Sequence, residues 1–260
     1  MVLSDHRSTA RGNAAGASDD PGGDLLSGPA APVDPATLRA RLATCTTWCF
    51  DFDGTLAPNP DLKELKRRVR AHAIAARVPA QVFGEAAIVE IVSAAEHWLK
   101  QHSAAQAAAY RAAADALIVD FELAAATDAD PFEACRPLLA ALRRGNRRIA
   151  IVTRNCRAAV LEVLPEVDRL VDVLLTRDDV TRLKPDPAHL HDAFRAVGAT
   201  ARQAVLVGDG QMDMRMGRSA NTLCIGVLSG SSGQGALFDA GADFVLNDIA
   251  ELLPLQLPSP

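Results

Sequence analysis

Short apolar runs recur along the chain at residues 46–50, 148–152, 170–175, 204–207, 223–227 and 243–246, with amphipathic stretches between them. Runs of that length are what strands buried on both faces look like, whereas a half-exposed strand would alternate. The intervening segments carry helix punctuation: Pro131 and Gly145 bracket one, Pro187 and Gly198 another, and Asn247 is placed to cap the last. Strand and helix in alternation predict βαβ units and a mostly parallel sheet. This α/β class places its ligands at the carboxyl ends of the strands.

The rhythm breaks once. Between the first run and the second, from Pro58 to Arg147, no strand is predicted, and Ile88, Ile91, Val92, Ala95, Trp98 and Leu99 recur at helical spacing. An all-helical module is therefore inserted after the first strand, its first helix over 61–77 and two or three more over 81–126. At 260 residues the chain has room for one large domain with such an insertion. Hydrophobic residues make up 49% but aromatics only 4%, so aliphatic side chains and alanine must supply the burial, much of the alanine in the inserted helices. Residues 1–40, rich in Gly, Pro, Ala, Ser and Asp and without apolar periodicity, read as a disordered tail. The expected division is tail 1–40, core 41–57 and 132–260, and helical module 58–131.

A net charge of −5 argues against coating nucleic acid or anionic membrane with positive charge, and the expected partner is a small molecule. No run reaches the length of a membrane span, and the first residues lack the apolar stretch of a signal peptide. The five cysteines, Cys45, Cys49, Cys135, Cys156 and Cys224, are odd in number and scattered. They fit buried thiols in a reducing, cytoplasmic setting better than disulfides or a zinc site. The protein is expected to be a monomer or homodimer.

The residues that carry chemistry stand at the ends of the apolar runs. Phe50-Asp51-Phe52-Asp53-Gly54-Thr55-Leu56 closes the first, and carboxylates at i and i+2 of extended chain project to one side. Such a pair repels itself unless a cation or a shared proton resolves it. Asp-Gly alone is a common turn; the apolar run in front and Gly-Thr behind favour chemistry. Thr153 closes the run 148–152, Lys184 lies in Leu183-Lys184-Pro185-Asp186-Pro187, and Gly208-Asp209-Gly210-Gln211-Met212-Asp213 follows 204–207.

Those four motifs, in that order, resemble the haloacid-dehalogenase-like superfamily over roughly Thr44 to Leu253, in particular its phosphoglycolate-phosphatase-like branch with a helical cap. The resemblance implies a Rossmann-like core with the insertion as cap. It implies Asp51 as nucleophile, Asp53 as acid and base, and Thr153 and Lys184 as catalytic groups. Mg²⁺ would be held by the Asp51 carboxylate, the Asp53 main-chain carbonyl and the Asp209 carboxylate, with Asp213 on a metal water or orienting Lys184. Phosphate would be bound by Thr153, Lys184, main-chain N–H groups after Thr153, and Arg154 and Asn155, where many relatives carry Asn or Ser directly after the Thr. The implied activity is hydrolysis of a small phosphate ester. A phosphomutase, or a silent binding protein on the same fold, stands as the alternative; the intact Asp51, Asp53, Thr153, Lys184 and Asp209 speak against the latter.

A departure falls just after Gly-Thr-Leu, where a frequent acidic residue of the family is replaced by Ala57-Pro58-Asn59-Pro60. In the insertion Arg77, Glu85, His97, Lys100 and His102 are candidate substrate contacts. The loop 229–235 lacks the Lys-Ser/Thr ending of a P-loop and reads as a flexible connection. Met212, Met214 and Met216 read as packing, and His189 and His191, two apart on a helix, cannot chelate one ion.

Overall fold

The computed structural model describes residues 34–255. Residues 35–40, assigned to the expected tail, are helical instead. Helix α1 spans Pro35–Ala43: the Asp34 carboxylate accepts hydrogen bonds from the Ala36 and Thr37 N–H groups at 3.1 Å, and Pro35 opens the first turn. Leu38 and Leu42 bury one face of this helix in the core. The Gly- and Pro-rich approach concealed a capped helix with a narrow apolar stripe. Residues 1–33 of the expected tail lie outside the described residues.

Six parallel strands form one sheet: β1 (Thr47–Phe50), β2 (Arg148–Val152), β3 (Val173–Leu175), β4 (Ala204–Gly208), β5 (Leu223–Val227) and β6 (Phe244–Leu246), in spatial order β3-β2-β1-β4-β5-β6. The apolar run 170–175 divides, because Leu170 ends a helical turn and the strand begins only at Val173. Similarly, the turn after β6 is capped by Asp248, whose carboxylate accepts from the Ala250 N–H at 2.7 Å, rather than by Asn247.

Strand alternation sorts the core. Trp48, Phe50, Ile149, Ile151, Val205 and Val207 turn to one face, where they meet α1, α5 (Cys135–Arg144) and α6 (Arg157–Val163). Cys49, Ala150, Val152 and Leu206 turn to the other, against α8 (Pro187–Val197) and α9 (Gln211–Ser219). A single turn, α7 (Val167–Leu170), precedes β3, and α10 (Gln234–Ala240) joins β5 to β6. All five cysteines are free and buried. No described helix is long and apolar enough to cross a membrane.

Three longer helices follow β1: α2 (Leu62–Ala75), α3 (Ile88–Lys100) and α4 (Ala104–Ala126). They enclose a core of their own, with Leu65, Val69, Ile91, Val92, Leu99, Tyr110 and Ala114 in one cluster. The last turns of α4 leave that cluster, and Val119, Leu123 and Ala126 pack on the sheet-side core instead.

The chain runs from β1 to β2 and β3 on one side, then crosses to β4 on the other side of β1. Ligand crevices of open α/β sheets lie at such a reversal. Phe50 is in register with both Ile151 and Val207, so Asp51, Thr153 and Asp209 leave the sheet nearly level with one another.

Behind this edge, His189 on α8 is fully buried and its Nε2 lies 3.3 Å from the Leu175 carbonyl, which makes Nε2–H the donor. Burial, followed by the positive charge of Lys184, lowers its pKa from 6.5 to about 4. The folded state therefore binds fewer protons than the unfolded chain between those values, and stability falls as pH drops through that window. Wild type should lose about 2 kcal/mol more than His189→Leu between pH 7 and 4.5. Urea unfolding of both proteins at the two pH values measures this, and equal losses would show that His189 does not carry the dependence.

Candidate active site

Asp51 is the first residue beyond β1, its N–H bonded to the Val207 carbonyl at 2.9 Å. Its Oδ1 accepts from the Phe52 N–H at 2.6 Å and lies 2.6 Å from Lys184 Nζ. Lys184, buried on the loop after β3, also reaches Asp213 Oδ1 at 2.7 Å. Asp213 sits in the first turn of α9, where its Oδ2 accepts from the Gly210 N–H at 3.1 Å. Asp209 follows β4, and its Oδ2 accepts from the Ser231 N–H (2.6 Å), the Ser231 hydroxyl (2.9 Å) and the Asn59 amide (3.2 Å).

Oxygens of Asp51, Asp209 and Asp213 lie within 4.8 Å of one another, all three residues buried. One ammonium, that of Lys184, bridges two of these three carboxylates. Burial, reinforced by the Asp213 charge, holds the Asp51 carboxyl well above its ordinary pKa, and burial raises Asp213 as well. Burial alone would depress Lys184, but Asp213 and Asp51 outweigh it and hold the ammonium above its usual value. A group of hard, buried oxygens short of positive charge suits a hard divalent cation such as Mg²⁺.

Asp53 lines the same cavity but has separate partners: both its oxygens accept from the Asn155 side-chain amide at 3.1 Å. Its carboxylate is therefore not one of the three clustered groups. Withdrawal from water pushes its pKa up to about 6, with the Asn155 hydrogen bond acting the other way and the Glu122 charge adding to the rise. A carboxyl group in that range can both give and take a proton near neutrality.

Thr153 is buried and lines the cavity. Three of the main-chain donors after it are already engaged: the Asn155 N–H bonds Thr153 Oγ1 at 3.1 Å, the Cys156 N–H bonds Asn155 Oδ1 at 2.8 Å, and the Arg157 N–H bonds Asp178 at 2.8 Å. Local side chains supply those acceptors. Asn155, the other residue expected on phosphate, has its side-chain amide on Asp53. Arg154 borders the cavity with its guanidinium 2.7 Å from the Met212 sulfur, so Met212 belongs to the site wall, while Met214 and Met216 are the two that pack in the core.

Several contributors carry no legible signal in the sequence. Ser229 and Ser231 lie in the loop read as a flexible connection, yet Ser229 donates to the Gly54 carbonyl at 2.7 Å and Ser231 clamps Asp209. Gly54, at φ +75°, and Gly230 both pass so near the Asp209 carboxylate that a Cβ at either would overlap it. Their position just past two strands of the sheet is the available clue. Glu122 on α4 pairs with Arg177 beyond β3 at 2.5 Å, joining the inserted helices to the site. The candidates Arg77, Glu85, His97, Lys100 and His102 do not line the cavity; Lys66, Arg111 and Asp115 do. Glu85 serves instead as the partner of Lys66 and Arg70.

A family model described as haloacid dehalogenase-like hydrolase matches residues 46–221. A plasmid phosphoglycolate phosphatase of Cupriavidus necator is 31% identical over 221 residues, covering 83% of this chain and 94% of that protein. The pyrophosphatase PpaX of Bacillus cereus is 33% identical over 117 residues, 44% of this chain and 54% of its own. Among solved structures, a hydrolase from Pseudomonas syringae superposes with a TM-score of 0.60 at 22% identity, covering 80% of this chain and 96% of that one. This last likeness bears on the fold alone.

Proposed function

The chain belongs to the haloacid dehalogenase-like hydrolases, and on that premise we propose that it is a Mg²⁺-dependent phosphatase releasing phosphate from a small monoester through an aspartyl phosphate. The observation that carries this reading is the pairing of two differently prepared carboxyl groups on one cavity: Asp51 fixed by Lys184 at 2.6 Å, and Asp53 raised to about 6.

Asp51 attacks phosphorus while Asp53 delivers its proton to the departing oxygen. Asp53, now ionised, takes a proton from the water that attacks the aspartyl phosphate in the second half. Asn155 keeps the Asp53 carboxyl turned toward the cavity throughout. Lys184 offsets the charge of Asp51 and of the incoming phosphate, with the Thr153 hydroxyl and Arg154 beside it. The Asp51, Asp209 and Asp213 carboxylates, with the Asp53 carbonyl, would hold Mg²⁺, which when bound supplies the positive charge a phosphate dianion needs among acids. The inserted helices act as a cap that excludes water and selects the leaving group, hinged at Pro58 and Pro60 and near 129–131. Buried free cysteines support a cytoplasmic setting.

Phosphate release from a panel of phosphorylated sugars, short acids and nucleotides, with Mg²⁺ and with chelator, tests the reading; absent or chelator-insensitive turnover defeats it. Mg²⁺ should also stabilise wild type by about 3 kcal/mol at a hundredfold excess over Kd, which a higher melting temperature reports. Asp209→Asn should lose most of that increment, and an equal increment in both proteins would remove Asp209 from the metal site.

A further inference from the structure

The cavity that opens on Asp51 measures about 640 Å³, which leaves room for a substantial leaving group beyond the phosphate. Away from the phosphate end aliphatic side chains make up much of its wall. Leu62, Ile88, Val89 and Val119 from the inserted helices line it together with Leu183 from the core, and none of the five is fully buried. Leu62 is 42% exposed although it opens a helix whose own apolar face is well packed. Apolar area left in water costs about 25 cal/mol per Å², so a ligand that covers this wall gains binding energy from it.

Charge in the same wall cancels. Lys66, Arg111 and Arg177 are matched by Asp115, Glu122 and Asp178. Each cation also has an acidic neighbour in place: Arg111 has Asp115 and Glu96, Lys66 has Glu85 at 3.6 Å, and Arg177 has the buried Glu122. Arg154, whose guanidinium contacts sulfur, stands beside Thr153 at the phosphate end. A second anionic group on the substrate would give up water for hydrocarbon and for cations already paired.

Resting on the phosphatase reading above, we infer that the preferred substrate is the monophosphate of an alcohol with an aliphatic or aromatic body and no second anionic group, the body lying against Leu62, Ile88 and Val89. Short phosphorylated hydroxy acids are poor substrates on this account.

Three probes decide it: 2-phenylethyl phosphate, phosphoglycolate and acetyl phosphate, each assayed with Mg²⁺. The expected result is a kcat/KM at least tenfold higher for 2-phenylethyl phosphate than for phosphoglycolate. Ile88→Asn should cut that ratio at least fivefold, while Ile74→Asn, at a position 54% exposed and outside the cavity, should keep it. Both substrates are measured on one sample, so partial unfolding of a variant cancels from the ratio. Equal or better use of phosphoglycolate, or an undiminished ratio in Ile88→Asn, overturns the inference and leaves the phosphatase standing. No Mg²⁺-dependent release from these three or from the sugar, acid and nucleotide panel defeats the phosphatase reading itself, and the inference with it; release from that panel alone overturns the inference only.

Discussion

Asparagine in place of Asp51 should lower phosphate release by about four orders of magnitude while the protein stays folded. The amide keeps the size of the carboxylate but has no anionic oxygen to attack phosphorus. Folding should survive for an electrostatic reason. Asp51 is crowded by Asp209 and Asp213 and divides the Lys184 ammonium with Asp213, and burial already holds its carboxyl far above the ordinary range. Neutralising one of three crowded acids relieves repulsion, and the carbonyl oxygen of the substituted amide can still accept from Lys184 and from the Phe52 N–H. In the absence of Mg²⁺ the variant should therefore melt at or above the wild-type temperature. Steady-state phosphate release and thermal melts on the same preparations check both halves; more than a tenth of wild-type activity in Asp51→Asn would remove it as nucleophile.

What is legible in the sequence follows from where each residue's partners lie. Asp51, Thr153 and Asp209 end buried strands, and strand ends are visible as the close of an apolar run. Parallel register then brings them level without any further information. Asp213 is readable because it stands one helical turn beyond Asp209, and Lys184 because it sits in Leu183-Lys184-Pro185-Asp186-Pro187 between the second and fourth motifs. By contrast, Ser231 on Asp209, Asn59 on Asp209 and Glu122 on Arg177 are pairings between remote segments that no periodicity records. Asn155 illustrates a different limit. Its place beside Thr153 is readable, but a short polar side chain there can face phosphate or a neighbouring acid, and only the fold turns it onto Asp53. The helix at 35–43 escapes a reading by pattern because its apolar stripe is narrow, Leu38 and Leu42, and its cap lies in a stretch as rich in Pro, Ala and Asp as the sequence before it.

Lys184→Met should separate stability from catalysis. The lysine is 5% exposed, with Nζ 2.6 Å from Asp51 and 2.7 Å from Asp213, so its removal strips both acids, and the Asp209 beside them, of that ammonium. Breaking a buried ion pair from one side costs about 3–5 kcal/mol, and uptake of a proton by the acids offsets part of that. A loss of about 3 kcal/mol corresponds to a melting temperature lower by roughly 6–12 °C for a protein of this size. Mg²⁺ should then raise the melting temperature of Lys184→Met by more than it raises wild type, because the same oxygens present a larger uncompensated charge. Activity should not follow. Lys184 also meets the charge of the phosphate, so phosphate release should remain about a hundred- to a thousandfold below wild type even when Mg²⁺ has restored the fold. Melts with and without Mg²⁺, read beside phosphate release at saturating Mg²⁺, give the two answers together. If Mg²⁺ restored both, Lys184 would be a structural counter-charge alone; if neither changed, the ion pairs on Asp51 and Asp213 would carry no weight.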